Sequence, residues 1–196
     1  MSPILQTLAN SSAYGYRAFA AAPGEPSFES IATVTVGSGG SSTITFSSIP
    51  STYQHLQLRI LARGLNSGNE CQFQYTINDD YGSNYAWHLL RGNGSAAFAD
   101  GYGTQDAMRA QGRYPGDTAI SNAFGVGITD FLDYSNTNKN KTARTLGGND
   151  RNGAGQIYYT SSVWLNTSAI NKIIIGNSDG TGIAQYSSFA LYGIKG

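Results

Sequence analysis

The sequence predicts an all-β protein, a jelly-roll-like sandwich of two sheets and about ten strands, led by an N-terminal arm that contains a short helix. Three observations carry that expectation. Beyond residue 27 most of the chain alternates apolar with polar residues, as strands do because successive side chains point to opposite faces. The 25 glycines against 5 prolines suit many tight turns between short strands. The last stretch, IAQYSSFALYGIKG (183–196), ends the chain as a strand rather than a tail. In it Phe189, Leu191 and Gly193 alternate with Ala190, Tyr192 and Ile194, so both faces are apolar or amphipathic and the strand is expected to be central, with earlier strands built around it.

A chain of 196 residues fits one large domain, or a domain plus an arm, and buries a core without disulfides or metals. Only 12% of residues are charged, about half the usual share, and 12 basic residues balance 12 acidic ones. A net charge of zero supplies no bulk field toward nucleic acid or anionic lipid. It also protects weakly against association, which suits a protein that works in an assembly. No apolar run approaches membrane-spanning length, and the start lacks a basic segment followed by an apolar one, so neither membrane insertion nor a secretory leader is expected. The Asn-x-Ser/Thr spacings at Asn10, Asn93, Asn140 and Asn166 fit chance in a chain so rich in Asn and Ser.

Residues 1–27 differ from the rest. Ser2 before Pro3 is a helix-start signal, and Ile4, Leu5 and Leu8 follow at helical spacing, with the helix ending near Asn10-Ser11-Ser12. Tyr14, Tyr16 and Phe19 then fall on a segment too short to build a core, and Pro23-Gly24-Glu25-Pro26 reads as a linker. This is a docking arm that would bury its aromatics on another chain. The plainer alternative is an arm folded back on its own domain, or a frayed terminus.

The domain itself spans 28–196. The runs 31–36 and 43–46 alternate and are joined by Gly37-Ser38-Gly39-Gly40-Ser41, which reads as a β-hairpin. Ile49-Pro50 ends the second strand. From His55 to Arg63, Leu56, Leu58, Ile60 and Ala62 face inward and Gln57, Arg59 and Leu61 outward. After a turn at Asn66–Asn69, Phe73, Tyr75 and Ile77 share one face, with Cys71 as a packed strand residue. From Ser95 to Ser121 there is no sustained period, and Ala107–Ala110 fits an edge strand or a helical turn. A long connection of this kind is where contact residues belong, and Tyr102, Arg109, Arg113 and Tyr114 are the candidates; the alternative is a partnerless crossover between sheets. In Phe124–Ile128 large residues alternate with glycines, so something must approach the glycine face closely. Asp130 interrupts the alternation and suggests a bulge. Strands at 141–146, 156–165 and 169–175 precede the closing one, and Ile173-Ile174-Ile175 reads as deep.

Several blocks carry a resemblance. FESIATVTVGSGGSSTITFSSIPSTYQHLQLRILAR, then NDDYGSNYAWHLLRGNGS, then DFLDYSNTNKNKTARTLGGND, and the ending SSFALYGIKG follow one another along the chain. Together they resemble the small β-sandwich proteins among tailed-phage virion components, over roughly residues 28–196. The resemblance implies a non-enzymatic structural protein on the phage particle surface, as capsid decoration or as part of a tail fibre or spike. It implies a sandwich that repeats as a homo-oligomer, a trimer first, and brings no catalytic signature. Residues 1–27 fall outside it and would dock the protein on other virion proteins.

Residue chemistry adds little that is catalytic. His55 and His88 are the only histidines, and neither has a metal ligand at a recognised spacing. No nucleophile elbow, phosphate loop or wide basic face is present; Lys139, Lys141 and Arg144 form a small basic group only. No catalytic residue and no resident metal are assigned. Asn78, Asp79, Asp80 and Asn84 gather oxygens that suit a weak calcium site, though Asn and Asp in that order also make a plain turn. The rival function is a host-glycan-binding adhesin, for which Tyr81, Tyr85, Trp87, Tyr158, Tyr159 and Trp164 supply aromatic rings, unless those rings are core.

Overall fold

The computed structural model describes residues 27–196, the side chains of residues 110 and 111 excepted. The predicted arm, its helix and its docking residues Ile4, Leu5, Leu8, Tyr14, Tyr16 and Phe19 lie outside the described residues. Within them the chain forms twelve strands. They are β1 (Phe28–Thr35), β2 (Thr43–Phe46), β3 (His55–Ala62), β4 (Glu70–Ile77), β5 (Tyr85–Gly92), β6 (Ala97–Gln105), β7 (Met108–Pro115), β8 (Gly125–Leu132), β9 (Lys141–Asp150), β10 (Gly155–Trp164), β11 (Ile173–Asn177) and β12 (Ser188–Ile194). One sheet has eight strands in the order β1-β12-β3-β8-β9-β10-β5-β6, the other four in the order β2-β11-β4-β7. All the pairings are antiparallel, and the two sheets pack as a sandwich.

Period-two alternation decides which residues meet between the sheets. Leu56, Leu58, Ile60 and Ala62 of β3 are buried, as are Phe189 and Leu191 of β12 on the same sheet. On the smaller sheet Phe73, Tyr75 and Ile77 of β4 and Ile173 and Ile175 of β11 are buried, with Ile44 and Phe46 of β2 and Met108 and Tyr114 of β7. Each large apolar side chain taken out of water there contributes roughly 1.5–3 kcal/mol. The closing strand is interior, between β1 and β3, although it lies next to the sheet edge rather than at its centre. Ile174 is only half-buried, so β11 is deep on one face. Strand β11 also begins at Ile173 rather than at Ala169.

Three expectations are corrected. The runs 31–36 and 43–46 are not a hairpin: β1 pairs with β12 in the larger sheet, and β2 pairs with β11 in the smaller. The glycine loop carries the chain from one sheet to the other. Its end is pinned by paired hydrogen bonds between Ser41 and Ile183 (3.0 and 2.7 Å), and Gly40 sits at φ +78° where an added Cβ would press on the Ile183 carbonyl. Asp130 makes no bulge, since β8 runs in continuous register with β3 and β9. Its carboxylate instead accepts from Gln57 Nε2 (2.9 Å) and Arg144 Nε (3.0 Å) on the sheet surface. The connection 95–121 holds β6 and β7, which raises the count above the expected ten, and β7 is the edge strand weighed for 107–110.

The glycines of β8 face inward, as their alternation with large residues implied. Gly125 and Gly127 are buried beneath Tyr114 of the facing sheet, and a Cβ at Gly125 would lie 3.0 Å from that ring. The large residues Val126 and Ile128 point outward instead.

Candidate functional site

The smaller sheet ends at β7, which lies over β8, β9, β10 and β5. Strand β6 projects past it, exposed at every residue but Gln105. The step between the sheets is a cleft of about 330 Å³. Trp87, Leu89 and Arg91 of β5 line it together with Asp100 and Tyr102 of β6. Gln72 of β4, Gln105, and Arg109 and Arg113 of β7 complete it.

Trp87 and Tyr102 are direct cross-strand partners, their ring centroids 4.8 Å apart at 44°. Trp87 is buried, and its indole Nε1 has no hydrogen-bond partner. Tyr102 is 55% exposed. The Arg91 guanidinium lies 4.3 Å from the Phe98 ring centre and donates to Gln156 Oε1 at 3.1 Å. Arg109 donates to Gln74 Oε1 at 2.8 Å. Arg113 stands 3.5 Å from Glu70, a carboxylate that Arg151 already engages at 2.6 Å. Among the described residues neither Arg91 nor Arg109 has a carboxylate at ion-pair distance. Three guanidiniums against the one Asp100 carboxylate leave the cleft lining at +2, in a chain whose net charge is zero.

Of the four contact residues expected from sequence, Tyr102, Arg109 and Arg113 come together here. Tyr114 does not. It is fully buried, its ring 4.6 Å from that of Phe73, and burial pushes its phenol well above the usual range. The inward phase of β7 explains this: Met108 and Tyr114 face the core while Arg109 and Arg113 face the cleft. Arg91 and Asp100 are absent from the sequence reading. Strand β6 has no buried face, so it shows no alternation and left no signal to place Asp100.

The aromatic residues considered for sugar stacking divide sharply. Tyr85, Tyr158 and Trp164 are core, Tyr81 and Tyr159 are exposed, and only Trp87 reaches the cleft. Trp164 and Tyr85 instead hold the loop after β4. Trp164 Nε1 donates to Asp80 Oδ2 (2.7 Å), and the Tyr85 hydroxyl donates to the Asp80 carbonyl (2.8 Å). The Asp80 carboxylate also accepts from Asn84 Nδ2 and the Gly82 N–H (both at 2.9 Å). Burial opposes its ionisation, but these donors outweigh burial and hold the carboxyl below its usual range. Asp79 pairs with Lys172 (2.7 Å), and Asn78 Oδ1 caps the backbone of Asn171 and Lys172. Of the four residues considered for calcium, Asp80 and Asn84 are joined within the turn, Asp79 pairs with Lys172, and Asn78 reaches the 171–172 backbone. Among the described residues no group of three or more His, Cys, Asp or Glu side chains is placed to hold a metal ion.

Other reactive groups are tied into the scaffold. His55 Nδ1 accepts from the Asp133 N–H (2.9 Å), and the His88 ring covers the Cβ-less face of Gly101 on β6. Burial pushes the Cys71 thiol up to about 12, so the thiolate nucleophile is suppressed. The small basic group is dispersed: Lys139 pairs with Asp133, Arg144 with Asp130, and Lys141 is buried. Lys141 Nζ donates to the carbonyls of Asn136, Lys139 and Thr167 (2.6, 2.6 and 2.8 Å), and desolvation lowers its pKa.

A second surface lies on the outer face of the larger sheet. Cross-strand register puts Leu61, Val126, Gly148, Ile157 and Gly92 in one row, and Arg59, Ile128, Leu146, Tyr159 and Leu90 in the next. The seven large apolar residues of these rows are between 43% and 64% exposed. They cover five adjacent strands, roughly 19 Å of sheet width.

Compared with known proteins, the chain matches no protein-family model, no curated protein and no solved structure.

Proposed function

We propose that this chain is a non-enzymatic structural protein of a phage virion, displayed on the particle surface as capsid decoration or as a tail-fibre or spike component. The observation that carries the assembly role is the apolar outer face of the larger sheet. Seven half-exposed apolar side chains in two adjoining rows reach the upper end of the roughly 300–600 Å² that is the largest patch on an ordinary monomer. A second copy of this chain is the occupant. The patch approaches the about 800 Å² per partner of a stable interface, and the zero net charge puts no repulsion between copies. Closed symmetry then follows, and a trimer is the form proposed.

The jelly-roll reading of the sandwich supports the same role. The strands β1-β12-β3-β8 form one sheet segment and β2-β11-β4-β7 the other sheet. The chain therefore alternates between two four-stranded halves in jelly-roll order, an architecture used in viral capsids and lectins. The hairpins β5–β6 and β9–β10 extend one half and bring Leu90, Leu146, Ile157 and Tyr159 of the apolar face with them. Fold alone names no function, so the weight rests on the face and on the sequence resemblance. Residues 1–27 are the proposed anchor to other virion proteins.

Sedimentation of the full chain tests the self-association: oligomers are expected, and Ile157→Lys should reduce them to monomers. A monomer at all concentrations overturns it. Removal of residues 1–27 tests the anchor, with lost particle incorporation of a still-folded domain as the expected result and retained incorporation the contrary one. A second reading, a host-glycan-binding adhesin, is favoured by the cleft that joins Trp87 and Tyr102 to three arginines.

A further inference from the structure

We infer that the cleft at the step between the sheets binds an acidic saccharide, a sugar ring carrying a single carboxylate. This deepens the glycan-binding reading and is independent of whether the protein resides in a virion.

The chemistry of the cleft selects the ligand class. Sugars present an apolar C–H face and a rim of hydroxyls, and they need a ring to lie against and polar groups at its edge. Tyr102 gives an exposed aromatic face backed by Trp87 at 4.8 Å, so the platform is held in place before a ligand arrives. The Trp87 indole is itself buried, which fixes the ring behind Tyr102. Gln72 and Gln105 add amides to the lining.

Charge fixes the anionic character. Arg91 and Arg109 donate to neutral amide oxygens, Arg91 also lies over the Phe98 ring, and Arg113 shares Glu70 with Arg151. Guanidinium groups match a planar carboxylate with two parallel hydrogen bonds. Asp100 lines the same cleft, which disfavours a dianionic phosphate and leaves an acceptor for sugar hydroxyls. A polynucleotide is a poor fit, since the chain as a whole has no net positive charge to track a phosphate backbone.

The geometry also explains why this site falls here. An eight-stranded sheet against a four-stranded one leaves an inner face uncovered, and at β5 and β6 that face is lined by Trp87, Arg91, Asp100 and Tyr102, with Leu89 the one aliphatic residue among the lining.

Titration calorimetry and the indole N–H resonances of the full chain test the inference. The probes are sialyllactose and a galacturonate trimer, with lactose and sulfated lactose as controls. Saturable binding of one or both carboxylated sugars is expected, with a shift of one indole resonance that is absent in Trp87→Phe. Affinity should fall with added salt, and at least tenfold in Arg109→Gln and in Tyr102→Ala. Both substitutions are at exposed or half-exposed positions, and circular dichroism checks that each variant folds. The choice between the sialyl and uronate probes identifies the source of the carboxylate. Binding of lactose as tightly as sialyllactose overturns the acidic specificity but leaves a glycan-binding role. Preference for the sulfated sugar overturns the carboxylate assignment. No binding by any probe overturns both this inference and the adhesin reading.

Discussion

The two halves of the larger sheet face the sandwich interior very differently. Along β12, β3 and β8 the inward side chains join one continuous apolar core with β2, β4 and β11, from Leu56 and Leu58 to Ile173 and Ile175. Toward β5 and β6 that core gives way to a satellite of Trp87, Leu89 and Tyr158, and then to the arginine-lined cleft. The outer face does not divide this way, because Leu61, Val126 and Ile128 of β3 and β8 continue into Leu146, Ile157, Tyr159 and Leu90 of β9, β10 and β5. The continuous apolar core lies where both sheets are present, and the cleft lies where the larger sheet outruns the smaller.

Substitutions separate the halves, and the largest effect belongs to the covered one. Leu58→Ala should cost about 3 kcal/mol in denaturant unfolding, since Leu58 is fully buried and the site cannot collapse between two sheets. A loss below about 1 kcal/mol would show that the core is loosely packed there. Lys141→Ala should cost about 2–3 kcal/mol, because three inward carbonyls lose their donor. Thermal melts of Lys141→Ala and Lys141→Arg distinguish the loss of charge from the loss of geometry. At the border of the halves, Gly127→Ala should cost about 2 kcal/mol by forcing Tyr114 from its place, and Tyr114→Phe in the same chain should recover part of it.

Acid should act through the loop that the core aromatics hold. The Asp80 carboxyl is lowered in the folded state, so its stabilisation is complete above its unfolded value of about 3.9 and fades as pH falls through the lower folded one. Unfolding midpoints of the parent and Asp80→Asn chains should therefore converge below that range, and a constant difference down to pH 2 would count against the assignment. The smallest stability effect is expected on the outer face: Leu90→Ser should change monomer stability by less than about 0.5 kcal/mol while weakening self-association.

Legibility followed burial. Strand β3 was readable residue by residue because Leu56, Leu58, Ile60 and Ala62 are all inward, and a one-residue slip would expose the whole set. The glycine face of β8 was readable because a period-two pattern with no side chains on one side implies a close neighbour, which proved to be Tyr114. By contrast β6 is an exposed edge strand, and without a buried face it prints no pattern. Of the four contact residues expected from sequence, three converge on the cleft, whereas Tyr114 is turned into the core against Phe73 by the inward phase of β7.

The sequence by itself determined the all-β class, the inward faces of β3 and β4, the packed role of Cys71 and the neutral charge balance. These depend on local alternation and composition, which every short window displays. Only the tertiary structure decided that β1 and β2 belong to different sheets, because a glycine loop permits either a hairpin or a crossing and the partners β12 and β11 lie more than a hundred residues away. It alone brought Trp87, Tyr102, Arg91, Arg109 and Arg113 to one cleft, and seven apolar side chains to one outer face. Both surfaces arise from the register between strands distant in sequence, and register is a property of pairs that no single stretch encodes.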